Sequence, residues 1–170
     1  ADLYGAGIRP TGDDAPAEAA KYYGDLPLLR RRVQAAFDVL ANDDQVDPDR
    51  IAVIGYCFGG SASLEFSRTG APIAGTVSFH GGLIAHDPAD VDDIRSPLLV
   101  LTGAADPVVP DEAVLAFEDE LRQNPAVDWQ VVSYSGAPHA FTLPETPNYR
   151  PAADARSWRA LLDFLDEVFA

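Results

Sequence analysis

The feature that most restricts what this chain can become lies at residues 51–60, IAVIGYCFGG, where a β-branched apolar run meets a cysteine flanked by glycines. The run IAVIGY is continuous, as expected of a parallel strand covered on both faces. Residues 59–69 are rich in small side chains and read as helical. Between them, Gly55-Tyr56-Cys57-Phe58-Gly59 matches the strand-to-helix turn that presents a nucleophile, with cysteine in place of serine. Glycine is expected at 55 and 59 because a Cβ on either would clash in so sharp a turn. The turn lifts the sulfur beyond the carboxyl end of the strand. There the helix amino terminus is expected to favour thiolate over thiol, and the Phe58 amide can face a developing oxyanion. The competing reading is a buried structural cysteine. A phosphate-binding loop is the weakest reading, since neither G-x-G-x-x-G spacing nor a Walker lysine is present.

Three further runs have strand character: IAGTVSF at 73–79, PLLVLTG at 97–103 and VDWQVVSY at 127–134. Helical periodicity separates or follows them, at 28–41 (Leu29, Val33, Ala36, Phe37, Leu40), 111–124 and 152–169. Trp158 falls on the apolar stripe of the last helix and reads as core. Residues 1–20, with Gly5, Gly7, Pro10, Gly12 and Pro16, read as a long surface connection. Alternating strands and helices predict an α/β fold with a mainly parallel sheet and right-handed crossovers. At 170 residues and 47% apolar content, a single domain over 1–170 is expected.

The net charge is -15, with Lys21 the only lysine, so phosphate backbones and anionic membranes are repelled and neither is expected as a partner. Salt adaptation is a weaker reading of the same excess. No apolar run approaches the roughly 20 residues that span a bilayer, and a cytoplasmic location is the default expectation. A lone cysteine, Cys57, excludes an intrachain disulfide and a CxxC redox pair.

Asp106, in TGAADPVVP, follows the strand at 97–103, and His139, in SGAPHAF, follows the strand at 127–134. In a parallel sheet both emerge on the edge that carries Cys57. Read singly, Asp106 is a turn aspartate and His139 an exposed loop residue. In the order nucleophile, acid, histidine, they predict a triad: Cys57 attacks a carbonyl, His139 moves the proton, Asp106 orients the imidazole. His80 follows another strand and could line the substrate cleft, as could Tyr56 and Phe141, which equally could pack as core. His86 lies in an acidic loop. A metal site from His80, His86 and Asp87 matches no specific spacing, so these read as solvated loop groups, and no metal or cofactor is expected.

The stretches DLYG (2–5), RIAVIGYCFGG (50–60), TVSFHGG (76–82), LLVLTGAADPVVP (98–110), SYSGAPHAF (133–141) and SWRALLDFLDEVF (157–169) resemble the dienelactone hydrolase family over essentially the whole chain. The resemblance implies a three-layer α/β-hydrolase fold and a small-molecule ester or lactone substrate. It also implies strands and a helix before DLYG, so the 170 residues correspond to the C-terminal two-thirds of that fold, N-terminally truncated. A second oxyanion amide, and an acidic residue that meets the resting cysteine, would lie in the missing part. The strand at 51–56 is therefore expected at or near an edge, covered by self-association or a companion chain. Family members acting on dienelactone hold its carboxylate with arginines where this chain has Ala6 and Leu143. A broader carboxylic ester, lactone or thioester is the expected substrate class. The alternatives are a non-catalytic scaffold assembling through the sheet edge, and a thiol redox sensor working through Cys57.

Overall fold

The computed structural model describes residues 1–12 and 14–170, which form two compact units, Ala1–Pro48 and Asp49–Ala170. The first unit contains α1 (Asp14–Tyr23) and α2 (Leu26–Ala41). Asp25 caps α2, its Oδ1 accepting from the Leu28 amide at 2.9 Å. Tyr22 donates its hydroxyl to the Tyr4 carbonyl at 3.2 Å, fastening the DLYG segment to α1. Helix α1 corrects the expectation of a connection throughout 1–20. The glycines and prolines end at Pro16, which sits in the first turn where its missing amide costs nothing, and the alanines that follow favour helix.

The second unit is built on a four-stranded, wholly parallel sheet in the order β1-β2-β3-β4, with β1 Ala52–Tyr56, β2 Gly75–Phe79, β3 Leu98–Gly103 and β4 Trp129–Tyr134. Helix α3 (Phe58–Ser67) links β1 to β2, α4 (Asp111–Leu121) links β3 to β4, and α5 (Pro151–Val168) closes the chain. Strands β2 and β3 are buried along their whole length. Alternation divides their side chains between two cores. Val77, Phe79, Leu99 and Leu101 pack with Leu161 and Phe164 of α5, whereas Leu98 and Val100 pack with Leu64 of α3 and Phe117 and Leu121 of α4. Helices on both faces make the three layers that the resemblance implies.

β1 is an edge strand of this sheet, as the resemblance implies. It is not covered on both faces, however: Ile54 is 40% and Tyr56 42% exposed. Trp158 is likewise 51% exposed rather than core, because Leu161 and Phe164 supply the buried side of α5.

The crossover from β2 to β3 runs through irregular chain pinned by a buried cation. The Arg68 guanidinium, 1% exposed, forms a fork with the Glu120 carboxylate at 2.6 and 3.0 Å and donates to the Asp90 and Ile84 carbonyls. Glu65 lies 3.5 Å from Arg68 Nε and also meets His86 Nε2 at 2.9 Å. His86 is thus a partly buried hydrogen-bond partner of Glu65 rather than a solvated loop group.

Gly55 admits no side chain, since a Cβ there would fall on the backbone of Gly59. The expectation for Gly59 itself is corrected, as a Cβ on it meets nothing within 4 Å. Gly55→Ala should therefore lose at least ~2 kcal/mol of stability, whereas Gly59→Ala should stay within about 1 kcal/mol of the parent. Urea unfolding of the two variants checks both, and equal costs would contradict the packing described.

Candidate active site

All four strands end on one rim, and each delivers one polar side chain there: Cys57 after β1, His80 after β2, Asp106 after β3 and His139 after β4. The loops are drawn together by backbone pairing. The Cys57 amide donates to the Phe79 carbonyl at 3.0 Å, and the His80 amide to the Leu101 carbonyl at 2.8 Å. Gly103 lets the His139 loop close on the Asp106 loop, because a Cβ there would strike the Ala137 carbonyl. The Ala105 amide donates to that carbonyl at 3.0 Å.

Cys57 has φ 50° and ψ -120°, outside the regions where a side-chain-bearing residue rests easily. Its carbonyl accepts from the amides of Gly60 and Ser61 at 2.9 and 3.2 Å, so the strained residue is the start of α3. Phe58 is the first residue of that helix.

Asp106 is almost wholly buried. Its Oδ1 accepts from the Val108 and Val109 amides at 2.8 and 3.1 Å, which leaves Oδ2 to accept from His139 Nδ1 at 2.8 Å. The carboxylate thereby sets the tautomer, and the lone pair of His139 lies on Nε2. Asn148 steadies the same loop by donating to the His139 carbonyl at 3.0 Å.

The sulfur's hydrogen bond goes to His80. Cys57 Sγ lies 3.3 Å from His80 Nδ1, and His80 Nε2 lies 2.8 Å from Thr142 Oγ1. One ligand atom from each of Cys57, His80 and His139 lies within 4.8 Å of the others. Sequence reasoning placed His80 on the cleft wall and overlooked Thr142. The signal was available, since His80 follows β2 just as Cys57 follows β1. His80 is 1% exposed and so is not a solvated loop group, and the set gathered among the described residues replaces the His80, His86 and Asp87 combination.

Burial also overturns the thiolate expectation. Desolvation pushes the Cys57 thiol up to about 11, and the negative charge of Asp106 adds to the effect. A helix amino terminus is worth at most about 2 kcal/mol to an anion and does not offset this. Burial, and then the neighbouring His139, depress His80 to about 4. Near neutral pH both groups are uncharged: the thiol donates to Nδ1, and Nε2–H donates to Thr142.

Phe141 does not line a cleft. It is fully buried, edge-on to His80 with ring centroids 5.3 Å apart, and braces that imidazole from behind. Tyr56 does face open space. With Thr142, Leu143, Asp154, Ala155 and Trp158 it lines a cavity of about 600 Å³ beside the rim.

The model of the dienelactone hydrolase family matches residues 1–169. An uncharacterised protein of Caenorhabditis elegans is 36% identical over 152 residues, covering 84% of this chain and 95% of that protein. A carboxymethylenebutenolidase homolog of Mus musculus is 27% identical over 143 residues; the match takes in 84% of this chain and 57% of the mouse protein. Among solved structures, a dienelactone hydrolase-like promiscuous phosphotriesterase from metagenomic libraries superposes with a TM-score of 0.91 at 41% identity, covering 98% of this chain and 72% of that one.

An uncharged resting thiol predicts slow alkylation that keeps climbing with pH. The iodoacetamide rate should still rise about tenfold per unit at pH 9–10, where a free cysteine of pKa about 8.5 has levelled off. Mass-spectrometric quantification of modified Cys57 measures it, and a plateau near pH 8 would refute the buried-thiol assignment.

Proposed function

This chain belongs to the dienelactone hydrolase family, and from that premise we propose that it cleaves a carboxylic ester, lactone or thioester through a covalent acyl-cysteine. The observation that carries the reading is the series on one rim: sulfur, imidazole within 4.8 Å, and a carboxylate 2.8 Å beyond. In this reading the S–H turns from His80 to His139, whose Nε2 takes the proton as Sγ adds to the carbonyl carbon. The Phe58 amide stabilises the oxyanion. Collapse breaks the bond to the alkoxide or thiolate, which leaves with the proton returned by His139. Water, deprotonated by the same nitrogen, then attacks the acyl-cysteine, and the carboxylic acid departs as the thiol is restored. Asp106 carries no proton. It holds the imidazole and stabilises the imidazolium.

A resting thiol near 11 makes the base indispensable. A cysteine already ionised could attack unaided, whereas this one must lose its proton as the bond forms. The same fact argues against the redox-sensor alternative, which needs an accessible thiolate.

The cavity supports an uncharged, apolar substrate portion. Tyr56, Leu143 and Trp158 give it apolar walls, and Asp154 disfavours an anion. Leu143 stands where the resemblance places a carboxylate-binding arginine, so esters without a free carboxylate are the preferred class.

The test is pre-steady-state release from p-nitrophenyl acetate, with a p-nitrophenyl phosphotriester alongside because of the solved relative's description. One equivalent of nitrophenol per chain is expected in the burst. Cys57→Ala should lose at least a thousandfold in rate, and Asp106→Asn on the order of 10²–10⁴-fold. Unchanged hydrolysis by Cys57→Ala would place the chemistry elsewhere.

A further inference from the structure

We propose that Cys57, His80 and His139 form a binding site for a zinc-type divalent cation, occupation of which blocks the nucleophile. A cysteine–histidine–aspartate series needs one sulfur and one imidazole. This rim carries a second imidazole aimed at the same sulfur, 3.3 Å away and 1% exposed. The three donor atoms converge within 4.8 Å. A tetrahedral zinc with Zn–S near 2.3 Å and Zn–N near 2.0 Å sets sulfur and nitrogen about 3.5 Å apart, so the Cys57–His80 edge is already at that length. Drawing the His139 nitrogen in from within 4.8 Å to the same length completes the three-ligand face, and the fourth position is left for water.

A second observation points the same way. A histidine that ligates a metal usually has its other ring nitrogen held by a carboxylate, a carbonyl or another polar group, which fixes the free lone pair toward the ion. Both imidazoles have such a partner: Asp106 Oδ2 at 2.8 Å from His139 Nδ1, and Thr142 Oγ1 at 2.8 Å from His80 Nε2. Phe141 braces the His80 ring from behind. The donor set, one sulfur and two imidazole nitrogens, suits zinc and excludes magnesium and calcium, which take oxygen. Cysteinate and Asp106 together balance the two positive charges, in a chain whose net charge of -15 draws cations in.

Binding is a proton-for-metal exchange: the S–H bond breaks, an S–Zn bond forms, and the proton passes to solvent. The sulfur lone pair and His139 Nε2 are then both engaged, leaving neither nucleophile nor base. This consequence rests on the hydrolase reading, whereas the site itself does not.

The experiment uses the chelator-treated chain, titrated with Co²⁺ to reveal a sulfur-to-cobalt charge-transfer band and then with Zn²⁺ in competition, Mg²⁺ serving as control. One Zn²⁺ per chain is expected, with ester hydrolysis lost on binding and restored by chelator. Cys57→Ala should abolish the band. His80→Gln, checked for folding by circular dichroism, should weaken Zn²⁺ binding at least tenfold, and Thr142→Val about tenfold through the freed His80 ring. Absence of the band, equal Zn²⁺ affinity in His80→Gln, or hydrolysis that persists at saturating Zn²⁺ would overturn the proposal. A band with the expected variant pattern in a chain that cleaves no ester would uphold the site and discard the hydrolase reading.

Discussion

The turn at Cys57 is the constraint on which the rest hangs. A residue with a side chain is held at φ 50° between a parallel strand and the first turn of a helix, and Gly55 makes room for Gly59 to pass against it. That geometry is tolerated because it is over-determined, with the Cys57 amide bonded to β2 and its carbonyl to α3. The direction of the sulfur follows from it, as does the start of α3, whose small side chains let it sit closely on β1 and β2.

Much of this was legible because buried parallel strands announce themselves. Val77, Phe79, Leu99 and Leu101 lie in continuous apolar runs, and the residues immediately after such runs must emerge at one rim. What escaped the sequence depends on tertiary surroundings. The thiolate expectation used a local property, the helix terminus, and was overturned by desolvation, which is a property of everything packed around Cys57. Trp158 and Phe141 exchanged roles for a similar reason. Periodicity says which residues share a face, but not where the core ends, so the tryptophan turned out to be wall and the phenylalanine to be filling. Helix α1 was hidden by the glycines and prolines ahead of it and by Pro16 in its first turn, although its alanines favour helix. The Arg68, Glu65 and Glu120 cluster had no sequence signature, because its members lie up to 55 residues apart on different helices.

Two ways of managing polarity in a dry interior stand side by side in the second unit. Around Arg68 opposite charges are matched, with carboxylates and carbonyls gathered on one guanidinium. Around Cys57 the groups are kept neutral instead, sulfur and imidazole sharing one hydrogen between them. The first arrangement is static and holds the crossover that carries His80. The second can be shifted by whatever enters the cleft, since a neutral donor and acceptor exchange partners without moving net charge through the interior.

Because each polar group on the rim comes from a different strand, and the strands lie in chain order, the constellation spans the full width of the sheet. No fragment of two neighbouring strands contains it. The four side chains therefore meet only after synthesis has passed the last strand and the loop beyond it. A nascent molecule carries the sulfur before burial has raised its thiol, and so lacks both the neighbours and the restraint that folding brings.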